Sequence, residues 1–280
     1  MRIIGNILMA RRFLILCVWL LATFSPITVS NAQGISRPTR IMCLGDSVTR
    51  ATAQRNSFRR PLWQFLEQNK FRVDFVGSDT SHKGGPPPNP DFDLNHEGHT
   101  GYRTDMILKE LPDYLAQNMP DYVLIHLGTN DIAQGRDPFS AATNVASIVA
   151  LMRAANPKLT FLVAQIIPME GKEGVVRVFN QQLLLRLKNV STPQSPVIFV
   201  DQYTGFDAKT ETGDGVHPNA KGDLKIAQRW WAVLRTLLDP RGYRASMAPM
   251  STPFPMGRFR PAKSTVAART DVPASTAGLA

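Results

Sequence analysis

Between residues 38 and 238 the chain alternates two kinds of apolar pattern. The first is short and unbroken: Ile41–Leu44, Val73–Val76, Tyr122–Leu127, Leu159–Ile167 and Val197–Val200, rich in β-branched residues and without polar alternation. Strands of that kind are buried on both faces, as in parallel sheets. The second has helical spacing and predicts helices over Arg60–Asn69, Thr104–Leu115, Pro138–Ala155, Val175–Asn189 and Asn219–Leu238. In the second of these, Ile107, Leu111 and Leu115 return every fourth residue, with Thr104 at the start where an N-cap belongs. Buried strands alternating with helices predict βαβ units, hence an α/β fold around a parallel sheet. With no internal repeat and no linker, a single domain is expected.

In open α/β sheets the ligand crevice lies beyond the carboxyl ends of the strands. Gly45-Asp46-Ser47 follows the first run, and a long loop leads from the second to HEGHTGYRT at 96–104. Gly128-Thr129-Asn130-Asp131 follows the third, and DQYTGFDAKTETGDGVHP (201–218) the last. Hydrolysis by a serine needs a base within reach, a group that orients the base, and donors for the developing oxyanion. Ser47 supplies the hydroxyl, and Asp214 with His217 in DGVHP supplies a carboxylate and an imidazole three residues apart. Gly101 lets its N–H approach a ligand closely, and Asn130 offers a side-chain amide. Each residue taken singly has a structural alternative, a turn for Ser47, Gly101, Asp214 and His217 and a cap for Asn130. Their convergence on strand ends favours the chemical reading. His96, Glu97 and His99 invite a metal reading, but the spacing HExH does not put both imidazoles on one helical face, and a structural role around Gly101 is expected. His126, inside an apolar run, reads as a core histidine.

Together the four segments resemble the SGNH (GDSL) hydrolases, matched by Ser47 in GDS, Gly101 in HTGYR, Asn130 in GTND and His217 in DGVHP. The resemblance implies a flavodoxin-like three-layer α/β/α sandwich with a five-stranded parallel sheet. It also implies an acyl-serine intermediate, Asp214 as the acid of the triad, the Ser47 amide as a further oxyanion donor, and no metal or other cofactor. IMCLGDSVTR, VDFVGS, NHEGHTGYRTDMI and DGVHPNAKGDLKIA look most like secreted carbohydrate esterases of the acetyl xylan esterase type, which remove O-acetyl groups from plant-type polysaccharides. Two positions depart from the pattern: Ala51 stands where glycine is frequent, and Tyr102 where tryptophan is common. The resemblance implies an aromatic, substrate-binding floor at Tyr102. A lipid, aryl or thioester hydrolase remains the alternative, and a non-catalytic polysaccharide-binding envelope protein a further one.

The ends of the chain carry its charge. The first 32 residues hold Arg2, Arg11 and Arg12 and no acid, then the apolar run Phe13–Phe24 and the small residues Ser30 to Ala32. That is the layout of a secretory signal cut after Ala32, and the Arg11-Arg12 pair fits twin-arginine export in part. The apolar run is too short to span a bilayer, so export to the periplasm or medium is expected, with no stable membrane insertion once the signal is removed. Residues 241–280, rich in Pro, Ala, Ser and Thr with six Lys or Arg against one Asp, read as a disordered basic tail. Removing the three leading arginines and the tail's +5 from the formal +10 leaves +2 for residues 33–240, the expected hydrolase domain. The tail lacks the aromatic interleaving of a nucleic-acid surface, so the expected partners are an acylated carbohydrate or another small ester. Past the signal only Cys43 remains, which excludes an intramolecular disulfide and leaves stability to the core.

Overall fold

The apolar runs become strands and the helical patterns become helices in the computed structural model, which describes residues 37–239; the expected signal (1–32) and the expected basic tail (241–280) lie outside the described residues. In chain order the elements are β1 (Thr39–Gly45), α1 (Ser47–Arg50), α2 (Arg59–Gln68), β2 (Val73–Val76), β3 (Glu97–Gly98), α3 (Thr104–Gln117) and β4 (Tyr122–His126). They continue as α4 (Thr129–Ala133), α5 (Pro138–Ala155), β5 (Thr160–Gln165), α6 (Glu173–Leu187), β6 (Val197–Asp201), α7 (Ala208–Glu211) and α8 (Ala220–Leu238).

The five expected strands pair in the order β2-β1-β4-β5-β6, all parallel. The two-residue β3 joins them as a sixth, pairing Glu97 and Gly98 with Leu44 and Gly45, where β2 has already left the edge of β1. No apolar run announces it, because its pairing partner lies more than 50 residues back along the chain. Neighbouring positions in the central strands point to opposite layers. Met42, Leu44, Val123, Ile125, Phe161 and Val163 pack with Ile107, Leu111, Val145, Ile148 and Phe179 of α3, α5 and α6. Ile41, Cys43, Leu124, Leu162 and Ala164 pack on the other side with Leu62 and Leu66 of α2 and Ile226, Trp230 and Leu234 of α8. Both faces are therefore buried, which is why the strands read as continuous apolar runs. Among the described residues no helix is long and apolar enough to cross a membrane.

Side chains cap half of the described helix starts. Asp137 accepts from the amides of Phe139 and Ser140 ahead of Pro138, and Asn219 accepts from Lys221 and Gly222. The expected cap at Thr104 is corrected: Arg103 is the N-cap of α3, and it makes no side-chain cap bond. Thr104 lies inside the first turn, where its amide and hydroxyl donate to the two carboxylate oxygens of Asp131, at 3.0 and 2.7 Å. The start of α3 is thus capped from a different strand end.

The sheet reverses its winding between β1 and β4. Crevices in doubly wound sheets open at such a switch point, outside the carboxyl ends of the strands. Ser47 and Asn130 sit on its two sides.

Candidate active site

Gly45 ends β1 where a Cβ would come within 2.5 Å of the His126 carbonyl oxygen, so only glycine lets the chain turn there. Asp46 then caps the single turn of α1, its Oδ1 accepting from the Val48 amide at 2.9 Å. Asp46 is fully buried; that burial raises its pKa to about 6, with the Val48 hydrogen bond pulling the other way. Ser47 is the first residue of α1, and its hydroxyl looks out along the carboxyl edge of the sheet. Behind it the fully buried Arg59 donates to the carbonyls of Thr49, Arg50 and Leu94, fixing the far end of α1. Burial lowers the Arg59 guanidinium to about 10, which leaves it charged at neutral pH.

DGVHP folds back on itself. Asp214 Oδ1 accepts from the amides of Val216 (3.0 Å) and His217 (2.7 Å), and Oδ2 lies 2.7 Å from His217 Nδ1. A carboxylate can only accept, so Nδ1 carries the proton and Nε2 is free to accept. Nε2 lies 2.8 Å from Ser47 Oγ, which donates to it. Burial alone would raise the Asp214 carboxyl; the hydrogen bonds from His217 and Val216 outweigh it and hold the pKa below the usual carboxylate range.

Two further strand ends close on this point. The His99 amide donates to the Gly45 carbonyl at 3.0 Å and brings the loop after β3 alongside the serine turn. Gly101 then adopts φ +82°, a left-handed conformation, with open space where a Cβ would stand. Across the switch point Asn130 Nδ2 donates one hydrogen to the Tyr102 carbonyl at 2.9 Å. A side-chain amide has two, so one donor remains. Ser47, Gly101, Asn130, Asp214 and His217 all line one cavity of about 1000 Å³. Most of the residues that line it carry polar side chains, with Leu224 the one large aliphatic among them, while the exposed wall area is more apolar than polar. Lys83, Pro88 and Asn89 form part of the rim, so the Pro-rich loop at 83–93 is a wall of the cleft. That loop is held by Asn56, whose amide and carbonyl pair with Asn89, and by a double hydrogen bond from Arg60 to Asp91.

Tyr102, expected as an aromatic floor, is not among the residues that line this cavity. Its ring stacks on His99 (centroids 5.0 Å apart) and packs against the α3–α5 layer. The backbone carbonyl of Tyr102, by holding Asn130, is its link to the site. His96, Glu97 and His99 take protein partners. Glu97 accepts from Ser78 and from His99 Nε2, and His96 Nδ1 accepts from the Gly98 amide. They shape the loop that presents Gly101. His126 is fully buried and accepts from the Ile167 amide at 3.4 Å; burial lowers its pKa to about 4. Three residues beside the site escaped the sequence reading: Arg55, Asp223 and Asp131. Nothing in their local patterns distinguishes them, since their partners lie 168 residues apart in the first two cases and 27 in the third.

A hydrogen-bonded serine, histidine and aspartate at the carboxyl edge of a doubly wound parallel sheet, with amide donors converging on the same cavity, define the class of α/β serine hydrolases. The family model described as GDSL-like Lipase/Acylhydrolase matches residues 43–224, and the chain belongs to that family. A multidomain esterase of Ruminococcus flavefaciens is 28% identical over 248 residues, covering 80% of this chain and 31% of that protein. The chain spans less than two thirds of the length of the curated relatives it matches, 31% of one and 64% of another. Among solved structures, an acetyl esterase serine-to-alanine mutant with an acetate ion superposes with a TM-score of 0.65 at 30% identity. A carbohydrate esterase family 3 protein from Talaromyces cellulolyticus does so with 0.65 at 31%. Both comparisons cover 71% of this chain and 98% of the other.

Proposed function

We propose that this protein is an exported serine esterase that removes short acyl groups, acetyl foremost, from carbohydrate. The observation that carries the reading is the relay from Asp214 through His217 to Ser47, with hydrogen bonds of 2.7 and 2.8 Å, opening on a wide cavity lined by many hydrogen-bonding side chains.

Ser47 Oγ attacks the ester carbonyl carbon as His217 Nε2 takes its proton, and Asp214 holds the ring and stabilises its charge. The oxyanion accepts from the backbone amides of Ser47 and Gly101 and from the second hydrogen of Asn130 Nδ2. Neither backbone amide donates to a protein acceptor among the described residues. Collapse expels the alcohol, which leaves with the proton from His217. Water, deprotonated by the same nitrogen, then attacks the acyl-serine and releases the acid. No step needs a metal or other cofactor.

The cavity supports the substrate class. A volume near the upper end of the roughly 300–1,000 Å³ usual for ligand sites exceeds what an acetyl group fills and leaves room for sugar rings. The many hydrogen-bonding side chains in its lining, among them Gln54, Asn56, Lys83 and Asn89, suit a hydroxyl-rich partner. The named relatives, an acetyl esterase and a carbohydrate esterase, support the same choice. Export rests on the basic, then apolar, then small-residue order of the first 32 residues.

The test is a hydrolysis panel on wild type and Ser47→Ala, comparing acetylated xylan and sugar acetates with 4-nitrophenyl esters of increasing chain length. Acetate release from the carbohydrate, activity that fades beyond about four acyl carbons, and a dead variant are expected. Preference for long acyl chains would move the protein to lipid substrates, and serine-independent turnover would remove Ser47 from the mechanism.

A further inference from the structure

Arg55 lies on the loop between α1 and α2, and its guanidinium reaches two elements at once. Nη2 donates to the Ser47 carbonyl at 3.1 Å, and Nη1 donates to Asp223 Oδ1 at 2.7 Å. Asp223 stands in the first turn of α8, the helix that begins three residues after His217. The bridge therefore spans the two segments that carry the serine and the imidazole, 170 residues apart in the chain. It is largely out of solvent, with 13% of the Arg55 side chain and 7% of the Asp223 side chain exposed. Burial pushes the Asp223 carboxyl up to about 6, and Arg55 opposes that shift. A buried carboxylate is costly to leave without its partner, so the pair holds together as a unit. Its planar fork lets one arginine serve both acceptors, which a single ammonium cannot do in the same geometry.

We propose that Arg55 is a positioning residue that ties the Ser47 turn to the His217 end of α8 and so keeps Ser47 Oγ and His217 Nε2 at reactive distance. The inference rests on the nucleophile and base roles proposed above. Arg55 touches the Ser47 carbonyl and not the hydroxyl, so its effect falls on how well the serine is aligned. A misplacement of about 1 Å between reacting groups can cost on the order of 100-fold in rate.

The test uses the full chain as wild type, Ser47→Ala, Arg55→Met, Arg55→Lys, Asp223→Asn and the Arg55→Met/Asp223→Asn double variant. Two rates are read: steady-state hydrolysis of 4-nitrophenyl acetate, and covalent modification of Ser47 by a small fluorophosphonate, which needs an aligned serine but no sugar contact. Arg55→Met and Asp223→Asn are each expected to lower kcat and the modification rate by roughly 10- to 100-fold with KM unchanged. The double variant is expected to be no worse than the weaker single, because both remove one bridge. Arg55→Lys is expected to recover neither rate. Wild-type rates in Arg55→Met or Arg55→Lys overturn the proposal, as does a loss confined to KM, which would make Arg55 a substrate contact. Should Arg55→Met lack a cooperative thermal transition, Arg55→Lys and Asp223→Asn decide by the same rates. Modification of Ser47→Ala at the wild-type rate would overturn the nucleophile reading itself and this inference with it, whereas an inert Ser47→Ala beside fully active Arg55 variants overturns this inference alone.

Discussion

At the scale of single residues, the backbone just after Ser47 carries strain. Ala51, fully buried, closes α1 with φ 70° and ψ −167°, a region that is nearly glycine's alone. Such a conformation costs on the order of 1–3 kcal/mol, and a glycine would recover it while giving back about 0.5–1 kcal/mol of unfolded-state freedom. Ala51→Gly is therefore expected to stabilise the fold by about 1 kcal/mol, read as a rise of roughly 2–4 °C in Tm by thermal denaturation; a fall in Tm would show that the native site does not need a glycine-like backbone. Asn130 gives a second expectation. One of its amide hydrogens is taken by the Tyr102 carbonyl, so the side chain is locked and the other hydrogen is aimed. Asn130→Ala is expected to lower kcat by about 10²–10³ with KM little changed, the usual loss for one oxyanion donor. Steady-state kinetics on an acetyl ester would reveal it, and a purely KM effect would place Asn130 outside the transition state.

Between elements, the same strand end does a second job. Asp131, the neighbour of Asn130, takes both the amide and the hydroxyl of Thr104 at the start of α3, while Asn144 of α5 donates to that hydroxyl. The short helix α4, directly after β4, thereby holds α3 and, through it, the backbone just before α3, where Gly101 lies. Burial of Asp131 raises its carboxyl pKa, and the Thr104 hydrogen bonds offset part of that. Replacing it with alanine strands two buried donors, so Asp131→Ala is expected to cost about 2–3 kcal/mol in urea unfolding. Activity is expected to fall with stability, because a loosened α3 start releases Gly101. A variant as stable as wild type would mean that the two donors find water instead.

Across the whole molecule, buried ionisable groups set the pH response. Burial lowers His126 to about 4, and burial together with Arg59 lowers His82 to about 4 and His96 well below its ordinary value. A histidine kept neutral in the fold is protonated first in the unfolded chain, so its contribution is complete above about pH 6.5 and is lost as pH falls toward 4. For His126 the full loss is roughly 3 kcal/mol. Asp46 and Asp223, both raised to about 6 by burial, work in the opposite sense. The fold takes up their protons before the unfolded chain does, so stability rises as pH drops from about 6 toward 4. Unfolding free energies of wild type and His126→Asn between pH 7 and 4 separate the two terms. The variant is expected to lose less stability over that range, by up to about 3 kcal/mol, whatever its stability at pH 7. Parallel curves would mean that His126 is protonated inside the fold.

Burial on both faces writes itself into local sequence as continuous apolar runs, and packing of a helix on a sheet writes itself as a return every third or fourth residue. All five long strands and five long helices were therefore legible, their ends shifting by a residue or two. The structure brings Ser47, Gly101, Asn130, Asp214 and His217 to one cavity, because a sheet of this kind gathers its strand ends at one edge, and those ends can be read off the chain one by one. Local patterns carry no record of what meets across that edge. The two residues of β3, the capping of α3 by Asp131 and the Arg55–Asp223 bridge each join segments whose separation in the chain has no bearing on their distance in space. Sequence alone determined which chemical groups stand at the carboxyl edge. The tertiary structure alone decided which of the distant ones touch, since the 2.8 Å bond from Ser47 to His217 and the 2.7 Å bond from Arg55 to Asp223 are fixed by the closure of the whole sheet and no residue's neighbours in the chain encode it.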